Sequence, residues 1–199
     1  MKEIEGIILA AGYSSRAKSF KMTLPLDGKT VLENCLQGMI DFCDKIIVVG
    51  GYQVEKIIPI VKAYPQVELV YNEYYSKGMF SSVKKGLRYI TSKRFFLTPG
   101  DYPAISKDTY RIMLNTAGEI VVPVFNSQRG HPVLLASYLI PEISQRESNL
   151  KEFINTKGFT AVSVQDEGIL LDIDTWEDYL KIKDYLWVIK SFRKGLKDE

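Results

Sequence analysis

Short apolar runs alternate with amphipathic stretches along most of this chain, and that rhythm predicts strands and helices in succession. Residues 4–10 read as a buried strand, because Ile7, Ile8 and Leu9 follow one another without a polar break. The pattern then predicts a helix over 31–43, a strand over 45–49 running into Gly50-Gly51, a helix over 54–63 and a strand over 67–71. A helix over 79–90, a strand over 94–98 ending in Pro99-Gly100-Asp101, a helix over 107–116 and a strand over 119–125 continue it. Such βαβ units imply a mostly parallel sheet with right-handed crossovers. Past residue 125 the rhythm loosens into strands at 132–136, 161–164 and 169–173, a short helix near 150–155, and a long helix over 176–194. No repeat, linker or low-complexity stretch interrupts the series. One domain over 1–199 is expected, with about 176–199 as a C-terminal helical extension. In open sheets of this kind ligands sit beyond the C-terminal strand ends. The loops at Gly12, Gly50-Gly51 and Gly100-Asp101 should therefore open onto one rim.

Composition narrows the class. A 199-residue chain that is 46% hydrophobic and 25% charged can bury a sizeable core. Its net charge of +2 is too small for a nucleic-acid surface, and no basic run alternates with aromatics. The first residues, MKEIEGIILAAG, carry acids ahead of the apolar run, unlike a signal or transit peptide. No apolar stretch reaches bilayer length, so neither a membrane nor a nucleic acid is expected as partner. Cys35 and Cys43 lie eight apart on a predicted helix, not side by side; two buried thiols in a reducing cytoplasm is the expectation. One histidine and two distant cysteines make no zinc site.

The richest segment is 7–26, IILAAGYSSRAKSFKMTLPL. Ala10, Ala11 and Gly12 end the strand without bulk, so a ligand can approach the backbone closely. Arg16, Lys18 and Lys21 follow within one loop before Pro25. Backbone N–H groups beside spaced cations suit a polyphosphate, whereas an ordinary βα turn with solvated charges is the plain alternative. Neither G-x-G-x-x-G nor G-x-x-x-x-G-K-[ST] is present, which argues against hydride transfer and P-loop hydrolysis.

What does stand here is L-A-A-G-x-S-S-R from Leu9 to Arg16, then Lys21, then Leu24-Pro25. Asn72-Glu73 precedes Gly78-Met79-Phe80-Ser81-Ser82 and Gly86-Leu87; Pro99-Gly100-Asp101-Tyr102-Pro103, Arg129-Gly130-His131-Pro132 and Asp172-Ile173-Asp174-Thr175-Trp176-Glu177-Asp178 follow in order. In these motifs the chain resembles the MobA-like NTP transferase family, and within it the molybdenum cofactor cytidylyltransferase-like branch, from about residue 4 to 179. The resemblance implies a three-layer α/β/α fold with a mostly parallel, mixed sheet, the Rossmann-like architecture of nucleotide-diphospho-sugar transferases. It also implies Mg²⁺-dependent transfer of a nucleotidyl group from a nucleoside triphosphate to a phosphorylated small molecule, such as a molybdopterin-type cofactor, with release of pyrophosphate. A molybdoenzyme under maturation is the implied protein partner.

Residue by residue, the resemblance assigns the nucleotide to Leu9, Ala10, Ala11, Gly12, Ser14, Ser15, Arg16, Lys21, Asn72, Gly78, Ser81, Ser82 and Gly100. Lys21 would meet charge at the α-phosphate, and Arg16 with the Gly12–Ser15 backbone would hold the β- and γ-phosphates. Arg16, Lys21 and Asp101 are thus the catalytic candidates. Asp101 would coordinate Mg²⁺, a hard cation that takes one or two carboxylates plus phosphate oxygens. The second carboxylate is Asp174 or Asp172; alternate residues of an extended segment point to opposite faces, so only one serves, and Asp174 is favoured. Arg129, Gly130, His131 and Pro132 would meet the acceptor. A phosphate acceptor is already ionised and needs no general base. Within the resembling families L-A-A-G accompanies cytidylyl transfer and L-A-G-G guanylyl transfer, so Ala11 points to CTP.

Each assignment has a plainer counterpart. Asp101 can be a turn cap, Asp174 can open the last helix, His131 can be a satisfied half-buried histidine, and Gly78 can simply start a helix. The chain also departs from the family, which continues S-S-R-M-G where this chain has Ala17-Lys18 after Arg16. Two rival functions follow: a nucleotidyltransferase for a sugar, polyol or choline phosphate, and a catalytically idle nucleotide-binding or cofactor-insertion chaperone.

Overall fold

The computed structural model describes residues 3–13, 20–147 and 149–195. Ten strands and seven helices are labelled here in chain order. Strand β1 (Ile4–Ala10) is buried along nearly its whole length and lies between β4 (Lys45–Gly50) and β6 (Arg94–Pro99), parallel to both. Outside β4 lies β5 (Val67–Tyr71), also parallel. On the other side β9 (Val133–Ala136) runs antiparallel to β6 and to β7 (Ile120–Phe125); β10 (Thr160–Ser163) then pairs parallel with β7. The order is β10-β7-β9-β6-β1-β4-β5, and the short β8 (Gln128–Arg129) folds back on β7. The sheet is therefore mixed and mostly parallel.

Strand periodicity decides the layers. Ile8 and Ala10 face one side of the sheet and pack with α1 (Val31–Met39), α2 (Ile58–Lys62) and α4 (Lys107–Leu114). Ile7 and Leu9 face the other, against α3 (Met79–Leu87), α5 (Ile140–Gln145) and α6 (Leu150–Lys157). Each inner strand contributes apolar residues to both faces, so helices must cover both. A three-layer sandwich results. Among the described residues no helix is long and apolar enough to cross a membrane.

A smaller third cluster sets the chain's C-terminal part. Leu24, Leu26 and Val31 pack with Ile173, Tyr179 and Ile182, the last two on α7 (Trp176–Gly195). Leu24 and Leu26 belong to a minimal hairpin, β2 (Pro25–Leu26) and β3 (Lys29–Thr30), closed by Asp27 and Gly28 with φ of 56° and 77°. Two positive φ values make a type I′ turn, for which Asp-Gly is a favoured pair. The Tyr179 hydroxyl donates to the Pro25 carbonyl and Lys190 pairs with Asp27, so α7 is tied to both ends of this hairpin. Thr30 then caps α1 in a capping box with Glu33.

Most predicted elements occur, with ends moved by a few residues. The helix expected over 31–43 stops at Met39, which leaves Cys43 outside it; both cysteines are buried and free. The helix expected over 54–63 is a 3-10 turn, Val54–Lys56, followed by α2. One element is a correction. The strand expected over 169–173 is a 3-10 turn, Glu167–Leu170, and then irregular chain. Asp166 caps that turn, and Gly168 packs so closely on Ala104 that a Cβ there would lie 2.1 Å from its carbonyl oxygen. The apolar run packs against Ala104 and Gly130 instead of adding a strand. The hairpin, β8 and α5 had no counterpart in the sequence reading.

At the strand ends away from the site, Glu5 has no exposed surface. Its carboxylate accepts from Thr91 N–H at 2.6 Å, Ser92 N–H at 2.9 Å and the Thr91 hydroxyl at 3.0 Å, with Lys45 at 3.5 Å. Burial pushes the carboxyl up, but those hydrogen bonds and Lys45 outweigh it and hold it below the usual range. A depressed carboxyl stabilises the fold above its unfolded value and loses that contribution as pH falls through the folded one. Urea denaturation should therefore show Glu5→Ala about 3–5 kcal/mol less stable at neutral pH, the usual loss for one half of a buried pair. The wild type should approach the variant as the pH drops below the ordinary glutamate value; a constant difference would contradict the linkage.

Candidate active site

The register of the central strands brings three loops together. Ala10 pairs with Gly50 and Leu9 with Pro99, so the chain leaves the sheet at one rim after β1, β4 and β6. Gly100 N–H donates to the Leu9 carbonyl at 2.8 Å, and Tyr52 N–H to the Ala11 carbonyl at 3.3 Å. Two adjoining cavities open there and share Leu9, Met79 and Pro99 in their walls.

The smaller, about 320 Å³, is lined by Ala10, Ala11, Gly12, Tyr13 and Lys21 from the first loop, with Gly78 and Ser82 opposite. Tyr13 packs against Tyr52 and Tyr75, both at 5.3 Å between ring centres. Asn72, at the end of β5, does not line the cavity. Its amide donates to the Ser81 and Ser82 hydroxyls at 2.9 Å each, and its oxygen accepts from Tyr74 N–H. It locks the first turn of α3 to the strand end. Ser81 is spent on Gly78 and Tyr74 carbonyls, and Gly100 packs against Leu9 and Met22, so neither forms cavity wall. Ser14, Ser15 and Arg16, with Ala17 and Lys18, lie outside the described residues.

Lys21 begins a 3-10 turn and is 8% exposed. Its Nζ lies 2.9 Å from Asp174 Oδ1 and 3.2 Å from Asp101 Oδ2. The two acids come from far apart in sequence and are joined by backbone: Ile173 N–H donates to the Asp101 carbonyl at 3.0 Å. Asp178 accepts from Thr175 N–H and hydroxyl, which fixes the chain just after Asp174 at the start of α7. Burial pushes the Asp101 carboxyl above the usual range, and Asp174 adds to this, against the pull of Lys21. Burial and the charges of Asp101 and Asp174 raise Asp172 as well. Asp172 thus borders the cluster, while Asp174 makes the contact. Asp101 Oδ1 is buried and has no hydrogen-bond partner among the described residues, a carboxylate oxygen with capacity for one more ligand.

The larger cavity, about 770 Å³, runs from the shared wall toward α6. Phe80, Val83, Leu150 and Ile154 make it apolar, and Arg129 and Lys151 place cations on it. Arg129 is steadied by Asn155 at 2.7 Å and by the Phe159 ring, 5.0 Å away. Gly130 is a point of close approach: a Cβ there would stand 2.3 Å from the Ile169 carbonyl oxygen, the same oxygen that accepts from His131 N–H. His131 lines the cavity, its ring 4.7 Å from that of Tyr102, and its buried Nδ1 has no partner among the described residues. Pro132 follows but is not part of the wall. Tyr13, Tyr75, Tyr102 and the α6 residues were not singled out from sequence. The tyrosines sat within or beside motifs; the α6 residues carried no signal beyond helical periodicity.

The chain is similar to known proteins over most of its length. The family model described as the MobA-like NTP transferase domain matches residues 6–160. The molybdenum cofactor cytidylyltransferase of Escherichia coli (strain K12) is 29% identical over 187 residues, 92% of this chain and 97% of that protein. Among solved structures, a nucleotidyl transferase from Methanothermobacter thermautotroptrophicus superposes with a TM-score of 0.83 at 22% identity, covering 94% of this chain and 99% of the other. A manganese complex of a Mycobacterium tuberculosis H37Rv protein gives a TM-score of 0.73 at 23% identity, over 92% and 98%. At those identities the structures speak to the fold.

Burial pushes the His131 imidazole down to about 4, so the ring is neutral at physiological pH. As His131 is the chain's one histidine, its ring proton resonances can be followed without assignment. They should stay constant through neutral pH and move only near about 4. A midpoint at the ordinary value of about 6.5 would instead put the ring in water.

Proposed function

The chain belongs to the MobA-like NTP transferase domain family and is a nucleotidyltransferase, and we propose that it transfers the cytidylyl group of CTP to a phosphorylated small molecule of the molybdopterin type. The carrying observation is the pair of adjoining cavities on one rim, with Lys21 and Asp101 on the smaller and Arg129, His131 and Lys151 on the larger. In this reading residues 1–199 work as one catalytic unit, with α7 laid against it. The nucleotide occupies the smaller cavity, where the Ala10–Gly12 backbone admits its phosphates and Ala11 limits room for the base. The acceptor occupies the larger cavity, whose apolar walls suit a ring system and whose Arg129 and Lys151 suit its phosphate.

Positioning and charge neutralisation are what such a reaction requires. The acceptor phosphate attacks the α-phosphorus, pyrophosphate leaves, and no proton needs to be removed. Lys21 then meets the charge that grows on the α-phosphate oxygens. Asp101 Oδ2 and Asp174 Oδ1, the oxygens that Lys21 bridges, offer hard donors for a divalent cation, Mg²⁺ in this reading. Asp101 Oδ1, without a hydrogen-bond partner among the described residues, leaves that carboxylate capacity for it. When bound, the cation neutralises phosphate charge as a Lewis acid. Among the described residues no three metal-binding side chains converge, so phosphate oxygens and water would complete its shell. The relative from Escherichia coli, by its name a cytidylyltransferase, supports the choice of CTP.

Pyrophosphate release measured with each nucleoside triphosphate, Mg²⁺ and a panel of acceptors tests this directly. Release is expected with CTP and a molybdopterin; release with a sugar, polyol or choline phosphate alone would overturn the acceptor, and CTP binding without release would leave an idle module. Asp101→Ala should abolish turnover with an unchanged circular dichroism spectrum. Lys21→Ala should lower kcat by about 10²–10³ while weakening nucleotide binding far less, the mark of a group acting mainly in the transition state. The reverse split would make Lys21 a binding residue.

A further inference from the structure

We propose that Lys21 and the divalent cation compete for the same two carboxylates, so that Lys21 holds the metal position in the nucleotide-free protein and gives it up as a polyphosphate draws the lysine away. This rests on the metal assignment proposed above. The ammonium group spans Asp101 Oδ2 at 3.2 Å and Asp174 Oδ1 at 2.9 Å. A Mg²⁺ bound to those oxygens would sit about 2.0–2.1 Å from each, inside the space the ammonium now fills. A single charge and a double charge cannot share that gap.

The surroundings make the exchange an either-or matter. The Lys21 backbone is fixed, because its carbonyl accepts from Leu24 N–H at 3.1 Å and Val31 N–H closes onto the Leu24 carbonyl at 3.0 Å. The exchange then needs only the side chain to swing. At 8% exposure Lys21 has little water to retreat into, so it leaves both carboxylates most readily when another anion lies within reach. The smaller cavity, which Lys21 lines together with Gly12, is where such an anion would lie. Cation and polyphosphate therefore assist each other through Lys21, and by linkage each tightens the other by the same factor.

Mn²⁺ titration of the nucleotide-free protein, followed by the electron paramagnetic resonance signal of free Mn²⁺, reads the competition. Lys21→Gln should bind Mn²⁺ about ten-fold or more tightly than wild type, within the usual range of coupling. Lys21→Arg, which keeps the charge, should bind as weakly as wild type. Equal or weaker Mn²⁺ binding by Lys21→Gln overturns the proposal. A second measurement needs no variant: acetylation of Lys21 by acetic anhydride, read by mass spectrometry, should rise several-fold in saturating Mn²⁺, and unchanged labelling overturns the proposal too. Asp101→Asn separates this inference from the reading beneath it. If that variant abolishes Mn²⁺ binding while wild type and Lys21→Gln bind alike, the competition alone falls. If Mn²⁺ binding survives in it, the metal lies elsewhere and both readings fall.

Discussion

The burial of β1 between two parallel neighbours is the constraint on which the rest of the molecule depends. Its residues face helices on both sides, so the strand cannot slip by one position without exchanging its two apolar faces. With the register held, Leu9 stands beside Pro99 and Ala10 beside Gly50. The loops that follow must then emerge at one height on one rim. Gly100 N–H closing onto the Leu9 carbonyl locks that arrangement at the point where Asp101 begins. A site assembled this way is rigid where it leaves the sheet, and precision there matters most for a reaction driven by positioning.

A second, weaker clamp completes the site from the far end of the sequence. The hairpin after Lys21 and the helix α7 pack on each other through Leu24, Leu26, Tyr179 and Ile182. Asp174 precedes α7 and Lys21 precedes the hairpin, so docking one on the other brings the acid to the lysine. The same contact carries the backbone bond from Ile173 to Asp101. Two carboxylates, one of them 153 positions from Lys21, thus meet within hydrogen-bond distance of its ammonium. The two cavities follow from what lines them. Small residues and backbone at the β1 exit leave a narrow pocket beside Lys21 and Asp101, while α3 and α6 wall a wider one.

Much of this was legible in the chain. The alternation of apolar runs gave the order of nearly every strand and helix, because burial on both sheet faces leaves continuous hydrophobic segments that few other structures produce. The motifs named Lys21, Asp101, Asp174 and His131 because each lies in a short run of unusual chemistry. Asn72 and Ser81 show what such reading leaves out: both lie in a motif, and their side chains also make internal bonds that shape α3. The run over 169–173 failed for a related reason. Its apolar residues are buried, but by a turn packed on Ala104 and Gly130, and local pattern does not separate that from a strand.

The sequence by itself determined the sandwich, the loop bearing small residues and cations, and the set of carboxylates from which the site is drawn, since these depend on local periodicity and side-chain chemistry. Tertiary structure alone decided which of those groups meet. It put Lys21 on Asp101 and Asp174, kept Asp172 at the border, left Asp101 Oδ1 and His131 Nδ1 without partners among the described residues, and divided the rim into two cavities. Such pairings depend on packing between elements far apart in the chain, here α7 against the hairpin, and no local pattern encodes a distance of that kind.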